Sequence, residues 1–81
     1  MNLKDQLEEV KNNVHSGNEV AQSMDKLIVL LNTIYDDPEE RDLMKDMVLT
    51  AKNDLLKGYP LSTFDDAYLM ILSDFINTGK V

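Results

Sequence analysis

Apolar residues recur every three or four positions along nearly the whole chain, and glycine and proline fall only between or after these runs. A period near 3.6 marks one buried face of an α-helix, whereas a half-buried strand alternates with a period of two. No β-rich alternating run is present, so the chain is limited to helices.

Leu3, Leu7, Val10 and Val14 form a narrow stripe among Asp5, Glu8, Glu9 and Lys11, which predicts a first helix over residues 2–15. His15-Ser16-Gly17-Asn18 should stop it: glycine tolerates the left-handed conformation of a helix end, and Ser16 or Asn18 can cap the next helix. A second helix over 19–35 is the most apolar. Val20, Met24, Leu27, Leu31 and Ile34 are its core stripe, widened by Ala21, Ile28, Leu30 and Tyr35. The third, over 38–57, opens with Asp37 as N-cap, Pro38 at the first helical position and Glu40 where a capping-box acid belongs. Leu43, Met44, Met47, Val48, Ala51 and Leu55 form its core face, and Lys57-Gly58 ends it. The fourth, over 62–78, carries Asp65 and Asp66 in its first turn. Phe64, Tyr68, Ile71, Leu72 and Phe75 face the core, and Gly79 closes it. Short turns between four helices favour an all-α fold, a small antiparallel four-helix bundle in a single domain over 1–81. The first helix has the thinnest stripe and should be the loosest.

With 81 residues there is room for one core, and a hydrophobic content of 43% is enough to build it. There is no cysteine, so stability must come from packing, which suits a cytoplasmic protein. The start, MNLKDQLEEVKNN, lacks the basic lead and apolar core of a secretory signal. The longest apolar runs, 27–31 and 67–72, fall far short of the ~20 residues that span a membrane. No membrane insertion is expected. Eight Lys or Arg oppose fifteen Asp or Glu, a net charge of -7. Such a surface is repelled by phosphate backbones, which argues against direct nucleic-acid binding and for a basic protein partner.

Chemistry has little to build on. A nucleophilic enzyme needs an activated Cys, Ser or Lys beside a base, and the only histidine, His15, stands at a helix end where the dipole favours it. Paired carboxylates could transfer protons only in a cleft that raises one pKa, and the acids here fall on solvent faces or first turns. The cluster Asp36, Asp37, Glu39, Glu40 and Asp42 invites a calcium-loop test. Counted from Asp36, the sixth position is Arg41 rather than glycine, and the twelfth is Met47 rather than glutamate. Helix capping accounts for the same acids. The expectation is a non-enzymatic protein with no cofactor and no metal.

The more useful signal is apolar residues where the period predicts solvent. Val29 lies opposite the stripe of the second helix, Leu49 and Leu56 lie seven apart on the polar side of the third, and Met70 interrupts the polar stripe of the fourth. Leu49, Leu56 and Met70 are candidate contacts for a partner or a second copy. Asp36, Glu39 and Asp42 are the candidate acids to steer a basic partner toward them.

From "LLNTIYDDPEERDLM" through "LTAKNDLLKGYP" the chain resembles the bacteriocin immunity proteins of lactic-acid bacteria, of the enterocin A immunity type. The resemblance covers residues 27–60 and rests on Leu30, Leu31, Ile34, Tyr35, Glu39, Glu40, Arg41, Ala51, Lys52, Leu55 and Gly58. It implies a soluble antiparallel four-helix bundle that protects a producer cell from the cytoplasm through a membrane receptor complex, without an enzymatic step. Two other readings compete. An acidic phage- or plasmid-type inhibitor, of the anti-CRISPR or anti-restriction kind, would mimic nucleic acid and show acid rows converging on one face. A structural homodimer would use the apolar patch for itself.

Overall fold

The computed structural model describes residues 2–79. Four helices follow one another: α1 (Leu3–Ser16), α2 (Val20–Ile34), α3 (Pro38–Leu56) and α4 (Ser62–Asn77). Among the described residues there is no strand, and the fold is an all-α four-helix bundle. Each helix end falls within one residue of its expected position. Consecutive helices pack against each other, as short turns between antiparallel neighbours require. No helix among the described residues is long and apolar enough to cross a membrane.

The ends show why the helices stop where they do. Gly17 takes the left-handed conformation at φ 74°, its N–H bonds the Val14 carbonyl, and the Asn18 N–H bonds that of Asn13. The same pair of bonds closes α3, from Gly58 to Leu55 and from Tyr59 to Asp54. At the start of α3, the Asp37 side chain accepts from the Glu39 N–H at 2.9 Å, and Pro38 follows it. The α1–α2 turn corrects an expectation: neither Ser16 nor Asn18 caps α2. The Ser16 hydroxyl donates back to the Asn13 carbonyl, and the capping position is Glu19, with φ 50° and no side-chain bond. The turn is so tight that α2 starts directly from a left-handed residue.

The core takes its largest fully buried side chains from all four helices: Leu7 from α1, Met24, Leu27, Leu31 and Ile34 from α2, Val48 from α3, and Phe64, Ile71 and Phe75 from α4. α2 buries the most residues, as its composition predicts, whereas α3 buries only Met44, Val48 and Ala51. Leu43 is a second correction. It was expected on the core face of α3 but is 62% exposed. One residue is about 100° of helix, so Leu43 is turned away from buried Met44 onto the flank of α3.

Candidate interaction surface

The seam between α3 and α4 is where the exposed apolar residues and the acids meet. The two helices run antiparallel, and their register can be followed one turn at a time. Glu40 and Asp74 share one depression with Leu43, Met44, Met70 and Tyr35, with a volume of about 140 Å³. One turn further along, Met47 and Thr50 of α3 face Ala67, Asp66 and Thr63 of α4 across a second depression of about 300 Å³. Beyond the first, where the α2–α3 turn meets the end of α4, a third of about 330 Å³ is lined by Ile34, Tyr35, Asp36, Asp37, Glu40, Asp74, Asn77 and Thr78. The steps of three or four residues on both helices make these one interrupted groove.

Its chemistry is uneven across its width. Leu43, Met47 and Met70 supply apolar surface over a floor of buried Met44 and Ala67, and Asp36, Asp37, Glu40, Asp66 and Asp74 supply negative charge. Among the described residues that line the three depressions, none is a lysine or an arginine. Met70 is 47% exposed and Met47 is half-buried. Methionine is unbranched and polarisable, which suits a surface that must adapt to another.

One bond fixes the acidic end of the groove. The Tyr35 hydroxyl donates to the Asp74 carboxylate at 2.5 Å, tying the last residue of the α2 segment to α4 across 39 positions of sequence. Burial pushes the Tyr35 hydroxyl well above the ordinary phenol range, and the bond to Asp74, its charge and the charge of Glu40 push the same way. Proton loss there would put a third negative charge beside Asp74 and Glu40. The hydroxyl therefore stays a donor to Asp74.

The other flank of α4 differs. It faces α1 across a groove of about 350 Å³ lined by Lys4, Leu72, Phe75 and Ile76. At the far end His15 Nε2 meets Asp65 at 2.7 Å, and the His15 ring stands edge-on to Phe64. Between them burial raises the Tyr68 hydroxyl above its ordinary range, with a smaller contribution from Glu8. The charges here are mixed and partly paired. Mixed pairs also occur between α1 and α2, where Lys26 meets Glu9 at 3.7 Å, and between α2 and α3, where Lys52 meets Asp25 at 2.7 Å.

The residues singled out from sequence are divided among these surfaces. Met70 and Asp36 line the α3/α4 groove. Leu49 and Leu56 lie three before and four after Lys52, on the side of α3 that the Lys52–Asp25 bond turns toward α2, and Val29 lies one turn after Asp25. All three are exposed, whereas Met70 lines the depression that holds Leu43 and Met44. Glu39 and Asp42 are exposed on α3 and line none of the three depressions. Sequence reasoning missed Leu43, Glu40, Asp66 and Asp74 as one surface. Only their common periodicity, acid beside methionine on two helices, could have hinted at it. Among the described residues no three His, Cys, Asp or Glu side chains stand close enough to hold a metal ion.

Compared with protein-family models, with curated proteins and with solved structures, the chain matches none.

Proposed function

We propose that this protein is a non-enzymatic binding protein that inhibits or regulates a partner protein, and that the α3/α4 groove is its contact surface. One observation carries the reading: a methionine- and leucine-lined groove has acids on both helices and no base among its described lining residues. Apolar area supplies affinity, while one sign of charge sets the sign of the partner and speeds its approach. The partner presents a basic, partly apolar segment. A cytoplasmic role of the immunity kind, on a membrane-associated complex, is one form of this function. A nucleic-acid mimic is less well supported, because the groove between the acids is apolar and phosphate-like display has no use for it.

Affinity capture from the host with the purified protein tests the proposal. The double variant Leu43→Ser with Met70→Ser should abolish retention of the partner while leaving the helical signal intact, and high salt should weaken it. Leu49→Ser with Leu56→Ser should leave retention in place. Retention that survives the first pair and is lost with the second would overturn the assignment. If only the protein itself is retained, the groove serves a homodimer instead.

A further inference from the structure

We infer that the occupant of the α3/α4 groove is a short basic amphipathic α-helix, and that its basic N-terminal end lies over the Tyr35 end of the groove. This rests on the binding role proposed above and adds the shape and the direction of the guest.

The shape follows from the host. An extended peptide gains its main-chain bonds by adding to a sheet edge, and the described residues contain no sheet. The accessible apolar residues instead step by one helical turn, from Leu43 beside Met70 to half-buried Met47. A guest helix with apolar residues at i, i+3 or i+4, and i+7 presents the same steps. From Glu40 to Thr50 the groove rises about 15 Å, which three turns of helix, about ten residues, would fill.

The direction follows from charge. Asp36, Asp37, Glu40 and Asp74 surround one end, and Asp66 alone lines the other. At the four-acid end α2 and α4 finish, at Ile34 and Asn77, and α1 and α3 begin, at Leu3 and Pro38, so the host's helix ends nearly cancel and the side-chain acids set the sign. A guest whose lysines or arginines lie in its first turn brings side-chain charge and its own positive helix end to the same place. It then runs parallel to α3 and antiparallel to α4.

Three synthetic peptides of about twelve residues test this. All have the same leucines and lysines: the first has leucines at helical spacing and lysines in its first turn, the second moves the lysines to the last turn, and the third alternates the leucines. Titrated into isotope-labelled protein at low salt, with the first two held helical by the same side-chain crosslink because first-turn lysines oppose a free helix's own dipole, the first should bind roughly fivefold more tightly than the second, with resonance shifts at Leu43, Met47 and Met70. The third should bind weakly. Glu40→Lys should erase the preference between the first two. Equal binding of the first two, with shifts in the groove, would overturn the direction and leave the binding role standing. Equal binding of the third would overturn the helix. Shifts confined to Leu69 and Ile76, or none with any peptide, would overturn the binding role itself.

Discussion

α4 is bordered by two grooves of similar size, about 300 Å³ beside Met47 and about 350 Å³ beside Lys4, and they offer different chemistry. The α3 side has methionine and acid with no basic lining residue, whereas the α1 side has Leu72, Phe75 and Ile76 under a lysine, with the His15–Asp65 pair at its end. Size and apolarity therefore do not distinguish them. What does is the partner that their acids meet: toward α1 and α2 a lysine or a histidine, and toward α3 the Tyr35 hydroxyl on Asp74 and the Glu39 N–H on Asp37.

Phe64 lies beneath both sides of α4, fully buried, near the His15 and Tyr68 rings. Phe64→Ala should cost about 3–5 kcal/mol, a large part of the stability of a domain this small, and should loosen both grooves together. Urea unfolding measures it; a cost under about 1 kcal/mol would mean that α4 is not anchored as described.

Tyr35→Phe should act on the α3 side alone. It removes a hydrogen bond to a carboxylate in a half-buried setting, with an expected loss of about 1–2 kcal/mol. The pH dependence sharpens the point. The folded hydroxyl holds its proton more tightly than the unfolded one, so its stabilisation is fully present below the ordinary tyrosine range near pH ~10. It is lost as the pH rises from there through the raised folded value. Thermal melts should fall above about pH 10, and the fall should be shallower in Tyr35→Phe, with Tyr68 supplying the remainder in the same direction.

Reversing charge separates the two sides by binding rather than by stability. Glu40→Lys with Asp66→Lys should weaken a basic amphipathic peptide roughly tenfold at low salt, about 1.4 kcal/mol, with little change in unfolding. Lys4→Glu, on the α1 side, should change the same affinity by less than roughly threefold, because screening limits its reach. Equal effects would show that only net charge matters.

The smallest effect belongs to the α1 side. His15 and Asp65 are both nearly half exposed, so their pair is screened by solvent. Asp65→Asn should cost no more than about 0.5 kcal/mol and less in high salt. A larger loss would mean that the pair holds α1 in place, and the contrast with the Tyr35–Asp74 tie would disappear.

Most of the fold was legible in the residues. The four stripes gave the helices to within a residue, and Asp37, Pro38, Gly17 and Gly58 marked ends by properties they carry anywhere. The start of α2 was not legible, because Glu19 in a left-handed conformation follows from the tightness of the turn and not from its own preference. Nor was Leu43, since a helix of this length buries only as wide a stripe as its neighbours cover, and α3 is covered narrowly. The candidate surface was half legible. Met70 was singled out for exposure against the period and Asp36 as a steering acid, and both line the α3/α4 groove, whereas Glu39 and Asp42 lie outside it on the exposed face of α3.

The sequence by itself determined a small acidic chain of four amphipathic helices, because helical period, caps and net charge are local or additive properties. Which flank of each helix faces which neighbour is neither. Asp74 lies 39 residues from Tyr35, and only the packing of α4 against the end of α2 makes them one site. By the same packing, Lys26 and Lys52 were turned toward acids of other helices, and Glu40, Asp66 and Asp74 were brought to one seam, since two surfaces far apart in the chain acquire a common charge only once they are brought together.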